Sequence, residues 1–101
     1  MTKKIMLACS AGMSTSLLVT KMQKTADETG ADVEIFATAV ADALNKLESE
    51  HPDVLMLGPQ VKYMLADFEK QAACPVAVID MRDYGLMNGA KVLQEALAIA
   101  E

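Results

Sequence analysis

Residues 7–19 read LACSAGMSTSLLV: a cysteine closes an apolar run, small residues and hydroxyls follow, and apolar residues resume. A thiol at the end of a strand, followed by Ser10, Ala11, Gly12, Met13, Ser14, Thr15 and Ser16 ahead of a helix, sits where backbone N–H groups without intrahelical partners converge. The helix dipole adds about half a positive charge at that end, so the loop is an expected anion site. Gly12 permits a backbone conformation barred to bulkier residues, which lets successive N–H groups curl into a nest. Ser14, Thr15 and Ser16 are expected to cap the helix and donate hydroxyls. The same field favours thiolate over thiol at Cys9, which makes it a nucleophile beside a phosphate-shaped cradle. The implied chemistry is a cysteine that accepts a phosphoryl group. The competing structural reading is a buried core cysteine ahead of an ordinary capped helix, since cysteine is among the most buried residue types.

A second thiol chemistry uses the same kind of loop. Phosphatases of the Cys-x5-Arg type need the arginine to clamp the equatorial oxygens of the transition state bidentately. Here that position is Thr15. Backbone donors can still hold a resting phosphocysteine, so the missing guanidinium favours a carrier over a hydrolase. A cysteine-dependent phosphatase or an arsenate-reductase-like enzyme on the same architecture is the alternative. The chain contains neither GxxxxGK[ST] nor GxGxxG, so the loop is not a nucleotide P-loop or a dinucleotide site.

Four short apolar runs must position this loop: residues 4–8 (KIMLA), 33–37 (VEIFA), 54–58 (VLMLG) and 75–79 (PVAVI). Each has strand length, and three show little alternation, as strands covered on both faces do. Between them run helical periods: Leu18, Met22 and Ala26 before Gly30; Val40, Leu44 and Leu47; Val61, Met64, Leu65 and Phe68; and Val92, Leu93, Ala96, Leu97 and Ile99. This alternation predicts a single α/β domain over residues 1–101, a four-stranded parallel sheet with helices on both faces and right-handed crossovers. The natural order is 2-1-3-4, which leaves a crevice outside the C-terminal end of the first strand, where the loop begins at Cys9.

Other candidates fall around this frame. Gln60 follows the third strand and Tyr84 the fourth, both on the edge that carries Cys9, so either could form a rim to the phosphate. Pro59 reads as a helix-start residue, and Tyr84-Gly85 competes as packing and turn. Asp80 and Asp83 stand where a phosphatase would keep its general acid, but solvated or capping roles suit them better beside an anion. His51, the single histidine, precedes the third strand at the opposite end and reads as an exposed turn well over ~10 Å from Cys9. Cys74 reads as filler, the methionines mostly as core, and Met13 as a docking contact.

Composition narrows the partners. With 52% hydrophobic residues the chain can build a core without disulfides or a structural metal. A net charge of -5 and nine dispersed basic residues argue against nucleic acid, which is bound through clustered Lys and Arg. Two well-separated cysteines suit a reducing, cytoplasmic setting. The start MTKKIMLAC has too short an apolar step for a signal peptide, and no run approaches the ~18 to 20 residues of a membrane span, so no direct membrane insertion is expected.

The run CSAGMSTSLLV, with LGPQVKYM at 57–64 and YGLMNG at 84–89, resembles the IIB component of the lactose/cellobiose class of the phosphoenolpyruvate-dependent sugar phosphotransferase system, and looks most like its free-standing cellobiose or diacetylchitobiose type. The resemblance spans essentially the whole chain. It implies a fold similar to that of low-molecular-weight tyrosine phosphatases. It also implies a phosphocysteine sugar phosphotransferase, in which Cys9 takes a phosphoryl group from a phosphohistidine on a IIA protein while residues 10–16 hold the phosphate. The group then passes to a sugar, such as cellobiose or diacetylchitobiose, held by a membrane IIC permease. No cofactor and no metal are implied. MRDYGLMNG keeps Tyr84, Gly85 and Gly89 of the family's pattern, whereas the charges at Arg82 and Asp83 look variable.

Overall fold

The apolar runs become strands because each can bury side chains on both faces of a sheet that helices cover. The computed structural model describes residues 2–10 and 13–100. Among them are the strands β1 (Lys3–Cys9), β2 (Val33–Ala39), β3 (Val54–Leu57) and β4 (Val76–Val78), all parallel in the order β2-β1-β3-β4. The order is the one the alternation predicts. On one side β1 pairs from Lys3 opposite Val33 to Cys9 opposite Ala39; on the other it pairs from Ile5 opposite Val54 to Ala8 opposite Leu57. The two central strands are buried over residues 5–9 and 54–57, whereas edge strand β2 buries Ile35 and Thr38 and leaves Glu34 exposed.

The helices among the described residues are α1 (Met13–Thr29), α2 (Ala43–Glu50), α3 (Leu65–Gln71), α4 (Met81–Gly85) and α5 (Gly89–Ile99), with 3-10 turns at Val40–Asp42 and Pro59–Met64. The chain leaves β1 toward one edge and β3 toward the other, so right-handed crossovers put α1 and α3 on opposite faces. The core divides accordingly. Ile5 and Leu7 of β1 and Val54 and Met56 of β3 pack on Leu18, Met22 and Ala26 of α1 and on Val92, Leu93 and Ala96 of α5. The alternate residues Met6, Ala8, Leu55 and Leu57 pack on Ala43 of α2, Val61 and Phe68. Each fully buried Leu, Ile, Val or Met contributes about 1.5–3 kcal/mol relative to exposure.

Helix α1 stops where Gly30 turns to φ +75 and the Ala31 N–H reaches back to the Ala26 carbonyl at 2.9 Å, a left-handed closure that glycine adopts without a Cβ penalty. Three details differ from the expectation. First, α1 begins at Met13, so Ser14, Thr15 and Ser16 lie in its first turn and do not precede it as caps. Second, two predicted helices open with 3-10 turns: Val40 lies in the turn ahead of α2, and Val61 and Met64 lie in the one behind Pro59, where Val61 takes the non-helical φ, ψ of -116, 21, so that α3 is only Leu65–Gln71. Third, residues 81–85 form a helix where a turn was expected: Asp80 Oδ1 accepts from the N–H groups of Arg82 at 2.9 Å and Asp83 at 3.3 Å and starts α4. No described helix is long and apolar enough to cross a membrane.

Candidate functional site

Cys9 is the last residue of β1, and only three residues separate it from the first residue of α1. Its side chain is on the same sheet face as Ile5 and Leu7, because side chains alternate along a strand, and so it looks toward α1. Thr15, in the first turn of that helix, is wholly buried at 0% exposure and donates its hydroxyl to Cys9 Sγ at 2.6 Å. The sulfur is therefore not sealed in hydrocarbon: Cys9 is 3% exposed, but a hydroxyl is aimed at it. The Tyr84 hydroxyl lies 3.4 Å from Thr15 Oγ1, with Tyr84 8% exposed. Helix α4 presents that phenol, so the helix that sequence periodicity did not reveal closes one wall of the site.

On the β3 side, the Gly58 N–H donates to the Ala8 carbonyl at 2.8 Å and carries the pairing with β1 one step past Leu57. A Cβ on Gly58 would stand 3.1 Å from Cys9 Cβ and 3.2 Å from Gln60 Oε1. Gly58 thus leaves the space that Cys9 and Gln60 share. Sequence reasoning assigned this glycine no role. Its signal was available: it closes the third apolar run, and the order 2-1-3-4 puts that strand beside β1. A cleft of about 420 Å³ is lined by Pro59, Gln60, Met81, Tyr84, Gly85 and Met87, and it shares with the Cys9 surroundings Tyr84, whose hydroxyl meets Thr15. A larger, open hollow of about 630 Å³ runs along α1 and β2 between Val19 and Ile35. Its lining shares no residue with the Cys9, Thr15 and Tyr84 contacts, whereas the smaller cleft shares Tyr84 with them.

Of the other expected site residues, Ser10 is exposed, Ala11 and Gly12 lie outside the described residues, and Met13 and Ser14 open α1. Ser16 is exposed in the first turn, and its carbonyl accepts from the Thr20 hydroxyl at 3.2 Å. α1 has no acidic residue in its first turn, so no carboxylate there competes with an anion for the helix N-terminus. Gln60 is exposed at the cleft, and Tyr84 is an inner wall more than a rim. His51 follows α2 in the left-handed region at φ 48, at the end of the sheet opposite Cys9.

The two cysteines have contrasting surroundings, and neither is in a disulfide. Cys74 is half-buried ahead of β4, beside Leu47, His51, Pro52 and Ala73. Burial pushes its thiol up, the nearby Asp53 carboxylate adds to this, and backbone hydrogen bonds only partly oppose it. Its anion is thus disfavoured. No group of His, Cys, Asp and Glu suited to hold a metal occurs among the described residues.

A thiol at the strand-to-helix junction of a 2-1-3-4 sheet is the arrangement the alternation of strands and helices predicts. Residues 4–95 match the family described as PTS system, lactose/cellobiose specific IIB subunit. The chain belongs to that family. IIB subunits of this class are sugar-specific phosphotransferases that work with IIA and IIC partners. Over 100 residues the chain is 56% identical to the galactose-specific EIIB component of Lactococcus lactis subsp. cremoris (strain MG1363), covering 93% of each chain. It is 55% identical to the cellobiose-specific EIIB component of Lactococcus lactis subsp. lactis (strain IL1403), again covering 93% of each. The oligo-beta-mannoside-specific EIIB component of Bacillus subtilis (strain 168) is 42% identical, with 96% of this chain and 95% of the other covered. The solution structure of a cellobiose-specific IIB protein from Borrelia burgdorferi superposes with a TM-score of 0.80 at 33% identity, over 98% of this chain and 92% of that one. The lactose-specific IIB domain from Streptococcus pneumoniae shares the IIB fold at a TM-score of 0.79 and 21% identity over the whole of both chains.

Proposed function

We propose that this IIB subunit carries phosphoryl groups on Cys9. A phosphohistidine of a IIA protein meets the Cys9 thiolate in line: the S–P bond forms as the N–P bond breaks, and the imidazole nitrogen keeps the electron pair. In the second step a sugar hydroxyl held by the membrane IIC permease attacks phosphorus. The S–P bond then breaks, sulfur leaves as thiolate, and the hydroxyl proton goes to water. Residues 10–16 would hold the phosphoryl oxygens by backbone N–H groups and hydroxyls, with Gln60 and Tyr84 at the edge of the site. The observation that carries this reading is the Thr15 hydroxyl donating to Cys9 Sγ at 2.6 Å from the first turn of α1. A donor at that distance lowers the energy of charge on sulfur, both for the attacking thiolate and for the departing one.

The protein would act on the cytoplasmic side, where its partner IIA is phosphorylated, and needs no cofactor. The proposed sugar is a β-linked disaccharide such as cellobiose or diacetylchitobiose, the type the cysteine run resembles. The galactose-specific and cellobiose-specific relatives are equally close, at 56% and 55% identity, so overall identity does not discriminate between sugars. Competition between cellobiose, diacetylchitobiose and galactose for phosphoryl transfer in membranes holding the permease decides it.

The decisive test is Cys9→Ser. The variant keeps the thermal melting point within a few degrees and accepts no label from phosphorylated IIA protein; a variant that still takes up label defeats the reading. The phosphatase alternative is tested in parallel by an aryl phosphate, whose turnover is negligible because Thr15 stands where the clamping arginine would be.

A further inference from the structure

Three hydroxyl or thiol groups stand in line inside the site: Tyr84 OH, Thr15 Oγ1 and Cys9 Sγ, separated by 3.4 Å and 2.6 Å. Threonine has one proton to donate and two lone pairs with which to accept. A thiolate only accepts. When Thr15 gives its proton to Cys9 Sγ, its remaining capacity is as an acceptor, so the contact with Tyr84 closes in one direction: the phenol donates to Thr15.

We propose that Tyr84 is a positioning residue for Cys9, acting through Thr15 as the outer member of a one-way chain of hydrogen bonds that ends on the sulfur. The inference rests on Cys9 reacting as a thiolate. A threonine hydroxyl alone rotates about its C–O bond and shares its proton among nearby acceptors. With a lone pair occupied by the Tyr84 proton, the Thr15 proton is left pointing at sulfur. The phenol is well placed for this because its ring is anchored in the α1 side of the core with Ile5, Leu7 and Leu18. α4 itself is held at its start by the Asp80 cap and at its end by the Leu86 and Asn88 N–H groups on the Arg82 and Asp83 carbonyls.

Few charges compete for this thiol. The adjoining segments 5–10, 13–20, 37–41 and 54–61 contain no acidic or basic residue. α4 contributes Asp83 and the exposed Arg82 besides the titratable phenol, and Asp80 is engaged by backbone N–H groups. The two hydroxyls add uncharged donors to the stabilisation of charge on this sulfur.

The test is the pH profile of Cys9 alkylation in the full chain, followed on the Cys9 peptide by mass spectrometry so that Cys74 does not contribute. Tyr84→Phe keeps the ring and removes the donor; the half-maximal pH moves up by about half a unit. Thr15→Val removes the link and moves it by about one unit, while Thr15→Ser, which keeps the hydroxyl, stays close to wild type. The double variant Thr15→Val/Tyr84→Phe moves no further than Thr15→Val alone, because the phenol acts only through Thr15. An unmoved profile for Tyr84→Phe overturns the proposal, as does an equal displacement in the Thr15→Val background. Should Thr15→Val fail to fold, the Tyr84→Phe and Thr15→Ser profiles decide. Loss of labelling in Cys9→Ser together with an unmoved Tyr84→Phe profile removes the relay and leaves the carrier reading standing.

Discussion

The Thr15 hydroxyl reaches Cys9 Sγ across 2.6 Å from six positions further along the chain, the position at which a Cys-x5-Arg phosphatase keeps its arginine. In this fold the position faces inward and is wholly buried. Thr15→Arg therefore does not build a phosphatase. It buries a guanidinium without a partner carboxylate, and the expected cost is about 3–5 kcal/mol. Chemical denaturation measures the loss, and an aryl phosphate assay shows no gain in turnover.

Gly58 controls the room beside the sulfur. Its φ, ψ of -62, 150 suit any residue, so alanine meets no backbone penalty there. The added Cβ would nevertheless stand 3.1 Å from Cys9 Cβ, and relief requires a shift of a few tenths of an ångström in the residue that bears the thiol. Gly58→Ala is expected to cost about 1 kcal/mol of stability. Acceptance of label from phosphorylated IIA falls by roughly three- to tenfold, since reaction depends steeply on alignment. Quench-flow labelling beside a urea melt separates the two effects.

Gly89, the first residue of α5, makes a different kind of contact. A Cβ there would lie 2.7 Å from both the Lys21 carbonyl carbon and the Met22 nitrogen, backbone atoms of α1 that cannot rotate away. Gly89→Ala forces the two helices apart and is expected to cost about 2–3 kcal/mol. Denaturant unfolding measures it, and Gly89→Ala does so without touching the Cys9 residue itself.

Lys4 links stability to pH in the alkaline range. Its ammonium donates to the Glu50 carboxylate at 3.1 Å and to the Glu50 carbonyl at 3.0 Å, with Glu34 at 3.6 Å. The Glu50 hydrogen bond leads in raising its pKa, burial opposes, and the charges of Glu50 and Glu34 add to the rise. A raised folded pKa means that the stabilisation is complete below the unfolded lysine value of about 10.4 and is lost as pH climbs through the folded value. Lys4→Met keeps most of the stem and removes the charge. Its melting temperature is expected to fall less steeply above about pH 10 than that of wild type, and melts across the alkaline range check this.

The order of strands, the place of Cys9 at the end of the first strand and the family could all be read along the chain, because they depend on local patterns. Apolar runs of strand length separated by helical periods leave few topologies, and a cysteine at the first strand's end lies at the switch point by geometry alone. Short-range patterns also deceive. Three consecutive hydroxyls looked like caps, yet packing of Leu18, Met22 and Ala26 draws α1 in from Met13 and turns Thr15 toward the sulfur. α4 gave no periodic signal because five residues make barely more than one helical turn.

Which polar groups surround the thiol was decided by assembly of distant segments. Thr15 and Tyr84 are 69 positions apart and meet only because α1 and α4 cover the same face of the sheet. Gly58 matters only because β3 pairs with β1 so that its missing Cβ falls beside Cys9. A sequence states which residue types are present and the period at which they recur. Contact between remote side chains depends on register and on which face each helix packs against, and these are settled only when the whole core closes.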